Sequence, residues 1–163
     1  MKQGLLVLGG FFLLLGCEPV DDNDVATGDY EPGMYTGYHV QEEGPYAGVA
    51  TAVVFVDENG AIAEVYLDAT HLVGDEMPHS KKALGDDYNM RPTSEEIGAI
   101  PGGAEWDEQA EAVEEKIVAE QGLDWVSYDD EDEVDVDAVS GATMIITELV
   151  EAAEEALEKA RVE

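Results

Sequence analysis

Asp137-Ala138-Val139-Ser140-Gly141-Ala142-Thr143 is the stretch on which the reading of this chain turns. Before it, Val134, Val136 and Ala138 alternate with Asp135 and Asp137, the period-two pattern of a half-buried strand. After it, Ile146, Leu149, Val150, Ala153, Leu157 and Ala160 recur at spacings of three and four, one apolar stripe on a helix. The order is therefore strand, tight Ser-Gly turn, and a predicted helix over 143–161. The first turn of a helix leaves backbone N–H groups without intrahelical partners, and the macrodipole adds partial positive charge there, so an anion is welcome. Ser140 is the expected N-cap, Gly141 would let a ligand approach the backbone, and the Thr143 hydroxyl would project beside a bound phosphate. An ordinary capped helix would carry the same pattern.

The same residues resemble the Asp-x-x-Ser/Thr-Gly-Ala-Thr motif of the FMN-binding domain family, found in flavin subunits of ion-pumping oxidoreductases and in flavin-carrying lipoproteins of extracellular electron transfer. The resemblance implies FMN as cofactor, joined by a phosphoester to Thr143 by a magnesium-dependent flavin transferase, with Asp137, Ser140, Gly141 and Ala142 as the rest of the attachment motif. The family often has a further Ser or Thr two residues on. Here Met144, Ile145 and Ile146 intervene before Thr147.

At the other end, an apolar run from Leu5 to Leu15 follows Lys2. A membrane-spanning helix needs about 20 apolar residues, so this run reads as a signal-peptide core. Leu14-Leu15-Gly16-Cys17 is similar to a lipobox, with Cys17 as the lipidated residue. The expected organisation is a lipoprotein signal peptide over 1–16, an acidic tether over 17–33 and one folded domain over 34–163. Two or more acyl chains suffice for stable anchoring, which places the domain outside the cytoplasmic membrane. With one cysteine in the chain, no internal disulfide can form.

The chain holds 39 acidic residues against 7 Lys and Arg, a formal net charge of -32, and loss of Lys2 with the leader would make it more negative by one. Phosphate recognition needs Lys and Arg, so nucleic acid is excluded as a partner. Self-repulsion of this size disfavours a compact state in dilute salt. The composition predicts a protein that works in concentrated salt, as halophile proteins do.

Strands are expected over 34–40, 48–56 and 61–67, where Tyr, Thr and β-branched residues concentrate, with Asp57-Glu58-Asn59-Gly60 as the turn between the last two. The family's domain opens similarly, with a Tyr-Thr-Gly strand matched by Tyr35-Thr36-Gly37. The region 69–101 has no regular period, yet it contains Lys81, Lys82 and Arg91. In so anionic a molecule, gathered cations suggest a bound anion or a charge the fold must neutralise locally. Leu84, Tyr88 and Met90 between them offer an apolar, aromatic surface for a flat ring. Lys81-Lys82-Ala83-Leu84-Gly85-Asp86-Asp87-Tyr88-Asn89-Met90 resembles a Lys-Lys-x-Leu-Gly-Asp-Asp-Tyr-Gly-Met segment of the family's lipoprotein branch, and Asn89 stands where Gly is usual. Asn tolerates left-handed geometry next best, so the turn is expected to persist. The resemblance implies a loop folded over the flavin, with Lys81 or Lys82 near the phosphate or the electron-rich end of the ring.

Trp106, Ala110, Val113 and Ile117 predict a helix over 104–121 closed by Gly122, with 123–127 returning to the sheet. Trp106 and Gln109 match a Trp-x-x-Gln feature of the family's helix. His71 and His79 have no cysteine nearby and no Cys-x-x-Cys-His is present, so metal or haem ligation is not expected of them. Asp129 to Glu133 lacks the spacing of an EF-hand loop and reads as a solvated acidic loop. No Ser-His-Asp or Cys-His arrangement points to hydrolysis.

The expected fold is α+β: a small, mostly antiparallel sheet packed against two main helices. The expected function is that of a lipid-anchored, extracytoplasmic flavoprotein carrying FMN on Thr143 and passing electrons from membrane redox proteins to an external acceptor, more a redox carrier than an enzyme with its own substrate. Two other readings fit the sequence, an accessory flavin subunit of an ion-pumping complex and a cofactor-free solute-binding or structural lipoprotein.

Overall fold

The computed structural model describes residues 28–42, 47–72, 78–128, 133–135 and 139–162. The signal peptide, Cys17 and most of the tether lie outside the described residues, as do Asp137 and Ala138. The fold is α+β. Four antiparallel strands, β1 (Gly33–Gln41), β2 (Gly48–Val56), β3 (Ile62–His71) and the short β4 (His79–Ser80), lie in the order β1-β2-β3-β4. Gly33 faces Val56 across β1 and β2, and Ala50 faces Ala69 across β2 and β3. The helices are α1 (Lys81–Leu84), a 3-10 turn (Gly85–Tyr88), α2 (Arg91–Ile97), α3 (Trp106–Glu120) and α4 (Thr147–Ala160).

Alternation decides which face of the sheet is wet. Ala50, Ala52, Val54 and Val56 of β2 point inward with Val65 and Leu67 of β3, while Met34, Tyr38, Phe55 and Tyr66 stay exposed. Helix α3 covers the inner face over β3, and α4 covers it over β1 and β2. Small residues let α4 come close: its Ala152, Ala153, Ala156 and Ala160 are fully buried. At the other side of this contact, a Cβ on Gly37 would fall 2.0 Å from the Ala152 carbonyl oxygen and 2.6 Å from the Ala156 nitrogen. Backbone atoms cannot rotate aside, so strand and helix would have to separate. Gly37→Ala should therefore destabilise the domain by about 3 kcal/mol or more, at the top of the overpacking range. A urea midpoint within error of wild type would refute this contact.

Among the described residues, the outer edge of β1 meets side chains rather than another strand. Tyr38 N–H donates to Glu155 Oε2 at 2.6 Å, and Lys159 Nζ donates to the Thr36 carbonyl at 2.7 Å. Charged groups at an edge discourage pairing with a second chain.

Helix α3 ends as a Schellman turn, but Gln121 and not Gly122 takes the left-handed position (φ 55°), with Gly122 N–H bonded to the Ile117 carbonyl at 3.1 Å. The strain is offset because the Gln121 amide spans the start of β3, accepting from Ile62 N–H at 2.8 Å and donating to the Ile62 carbonyl at 2.9 Å. Residues 123–127 do not return to the sheet. Val126 N–H bonds the Leu123 carbonyl in a tight turn, and the Trp125 indole N–H reaches back to Gly122. The expected strand before the Ser-Gly turn is reduced, among the described residues, to a single bridge between Tyr128 and Val134.

Candidate functional site

A cavity of about 230 Å³ opens where the 41–48 end of the β1–β2 pair, the segment after β4, the start of α3 and the residues before α4 converge. Sites that enclose a drug-sized ligand run to roughly 300–1,000 Å³, so a large ligand here would remain partly at the surface. One wall is Lys81, Tyr88 and Met90; Trp106 stands beside them; the sheet contributes Ala50 and Ala69; Thr143, Met144, Ile145, Glu148 and Leu149 close the other side. Tyr88 packs at a tilt on Trp106, with centroids 6.5 Å apart, and edge-on against His71 at 5.0 Å. His71 is thus a ring neighbour of the wall, and among the described residues no group of three or more His, Cys, Asp and Glu is placed to hold a metal ion.

Thr143 is half-buried at the cavity, but not as the first residue of a helix. Helix α4 begins at Thr147 with Ile146 in the cap position, and Ser140 is exposed in a turn closed by Ala142 N–H on the Val139 carbonyl at 3.2 Å. The cause lies in α3. Gln109, fully buried there, accepts from Thr143 N–H at 2.8 Å and Met144 N–H at 3.1 Å, so donors that would have opened a helix are already satisfied. Ser140 is therefore not the N-cap of α4, and the N–H groups of Thr143 and Met144 are taken up by Gln109. Gly141 has its own requirement, a left-handed φ of 100° with Ala112 of α3 against it, and Ala142 is buried. These three shape the turn that delivers Thr143 and do not line the cavity. Thr147, whose place in the motif was open, accepts from Val134 N–H at 2.9 Å. Asp137 lies outside the described residues.

The region read as irregular folds into α1, the 3-10 turn and α2, because Ser80 caps α1 through Ala83 N–H at 2.9 Å and Pro92 opens α2. Asn89 adopts the left-handed conformation expected of it (φ 61°). The three cations separate in role. Lys82 pairs with Glu114 and lies over the Tyr66 ring at 4.4 Å, away from the cavity. Arg91 bonds Glu108 at 2.8 Å and the Gly103 carbonyl at 3.1 Å, while buried Glu105 accepts from the N–H groups of Met90 and Arg91. This fastens the loop to α3 and neutralises charge locally. Leu84 is half-buried and outside the cavity lining. Lys81 is the one lysine or arginine among the described lining residues, its Nζ 5.5 Å from the Trp106 centroid and 5.8 Å from that of Tyr88.

Burial holds the Lys81 ammonium below its ordinary pKa of 10.5, although Glu148 and Asp68 pull the other way. A depressed folded value means that the unfolded chain binds more protons between that value and 10.5, so stability rises as pH climbs through that interval. At neutral pH the charge is a net cost to the folded domain. Lys81→Met should accordingly raise the thermal midpoint at pH 7, and the gain should shrink as pH approaches 10.5; a lower midpoint at pH 7 would contradict this.

The residue that sequence reasoning left without a role is Gln109, and its one visible signal is the Trp106-x-x-Gln109 spacing, one turn apart on α3. The fit to a flavin rests on apolar and aromatic walls, Thr143 at the margin and a half-buried lysine whose desolvation Glu148 and Asp68 offset only in part.

A sequence model of the FMN-binding domain matches residues 46–158, from just before β2 to near the end of α4. No curated protein matches the sequence. Among solved structures, a solution NMR structure of a protein from Clostridium thermocellum is similar, with a TM-score of 0.50 and 27% sequence identity over 79% of this chain and 91% of the other.

Proposed function

This chain belongs to the FMN-binding domain family and takes FMN as its cofactor, and from that premise we propose that it holds FMN covalently on Thr143 and works as an electron carrier anchored to a membrane through Cys17. The observation that carries the proposal is that Thr143 lines the same cavity as Trp106, Tyr88, Met90 and Lys81. Trp106 and Tyr88 would pack on the ring, Met90 would fill against its edge, and Lys81 would meet its negative charge. When bound, the flavin supplies the redox chemistry, and the protein supplies attachment, orientation and electrostatics. Lys82 supports the wall from behind through Glu114, whose carboxylate also accepts from the Leu67 N–H of β3 at 2.6 Å.

A covalent bond suits a cofactor kept outside the cytoplasm, where a lost flavin would not be replaced. The anchor is read from Leu14-Leu15-Gly16-Cys17, and among the described residues no helix is long and apolar enough to cross a membrane. Partners of this reading are a magnesium-dependent flavin transferase, membrane redox proteins as donors and an external acceptor. Membranes of the host, supplied with a respiratory donor, should bleach the flavin absorbance of the loaded protein. Membranes that reduce free quinone but leave the loaded protein oxidised would refute the carrier role.

A further inference from the structure

Gln109 makes three hydrogen bonds to the acceptor segment. Its side-chain oxygen meets Thr143 N–H at 2.8 Å, Met144 N–H at 3.1 Å and the Thr143 hydroxyl at 3.2 Å, and its nitrogen donates to the Ala104 carbonyl at 3.2 Å and to Met90 Sδ at 3.5 Å. The two backbone N–H groups can only donate, which identifies the atom they meet as the amide oxygen. That oxygen has no proton to give, so the Thr143 hydroxyl must be the donor in the third bond. We propose that Gln109 is the positioning residue for esterification of Thr143. It clamps the backbone of the acceptor, draws the hydroxyl proton inward, and so turns the oxygen's lone pairs toward the cavity. Through Met90 the same side chain sets the position of one wall of that cavity.

The proposal rests on Thr143 being the acceptor. The Thr143 Oγ1–P bond forms as its O–H bond breaks. Esterification by a simple phosphate monoester would have to expel hydroxide, so the donor is of the flavin dinucleotide class: its phosphoanhydride P–O bond breaks, and the electron pair leaves with a nucleoside monophosphate. A neutral amide is too weak a base to keep the proton, which passes to a base on the transferase. Afterwards Oγ1 has no hydrogen to donate. The two backbone bonds to Gln109 remain and hold the esterified segment against α3.

A buried amide that merely satisfies backbone groups would stabilise the fold without governing the transfer, and two measurements separate the roles. Purified chain is incubated with a purified transferase, magnesium and flavin dinucleotide, and incorporation is followed by intact mass at several acceptor concentrations. Gln109→Met keeps the bulk and loses the acceptor oxygen, and should lower the maximal incorporation rate by ~10²-fold, the scale of a misplaced reacting group, with the half-saturating concentration of the chain little changed. Gln109→Glu keeps the oxygen and should recover most of the rate. A folded Gln109→Met chain that is loaded at the wild-type rate would overturn the proposal. Amide hydrogen exchange on the wild type covers the case in which Gln109→Met does not fold: Thr143 and Met144 should exchange as slowly as the interior of α3, and exchange at the rate of an open loop would overturn the clamp. Wild-type chain that accepts no flavin at all would instead refute Thr143 as acceptor.

Discussion

Thr143→Ala chain, co-expressed with a flavin transferase, is expected to lose all flavin fluorescence on denaturation, whereas the wild-type band stays fluorescent. The effect is all or none because one oxygen carries the ester. The alanine protein should still fold: Thr143 is half-buried, and its backbone N–H keeps its bond to Gln109. Of its hydrogen bonds only the hydroxyl contact at 3.2 Å is lost, worth roughly 0.5–1.5 kcal/mol. Thr143→Ser retains the oxygen and should be loaded. Fluorescence that persists on the alanine chain through denaturation would move the attachment elsewhere, and Thr147, turned to Val134 N–H, would be the next residue to test.

Raising salt should stabilise this domain strongly. The net charge of -32 is not spread evenly: Glu151, Glu154, Glu155 and Glu158 follow at three- and four-residue spacing along α4, where like charges repel. Lys159 at 3.0 Å answers Glu155, and His39 at 2.8 Å answers Glu151 only when it is protonated. With few cations to pair, the remaining repulsion is left to dissolved ions, whose screening length shrinks from about 10 Å at 0.1 M to about 3 Å at 1 M. The thermal midpoint should climb by about 10 °C or more over that range, since 1 kcal/mol moves a domain of 150 to 250 residues by about 2–4 °C. A midpoint indifferent to salt would refute the halophile reading.

What the sequence made legible was whatever leaves a local period. Strands β1 to β3 follow from runs of Tyr, Thr and β-branched residues, both long helices from spacings of three and four, and the left-handed turn at Asn89 from the tolerance of Asn for that geometry, whereas the short β4 and the bridge at Val134 do not. The start of α4 was misplaced by four residues because its cause is a side chain 34 positions earlier: Gln109 satisfies the N–H groups of Thr143 and Met144, and a long-range bond of this kind has no signature along the chain. The two lysines show the same limit. Lys81 and Lys82 are adjacent and chemically alike, yet one faces the cavity and the other Glu114 and Tyr66, because neighbours on a helical turn point about 100° apart. Arg91 read as one of the gathered cations that suggest a bound anion, but Glu105 and Glu108, brought beside it by the start of α3, neutralise its charge. The turn over 123–127 was hidden behind residues that favour a strand equally well.

Peptide mapping by mass spectrometry of material purified from the host's own membranes tests the central claim most directly. The peptide that contains Thr143 should be heavier by one FMN less the water lost in the ester, and fragmentation should place the added mass on that residue. The same peptide recovered wholly at its unmodified mass would contradict the account.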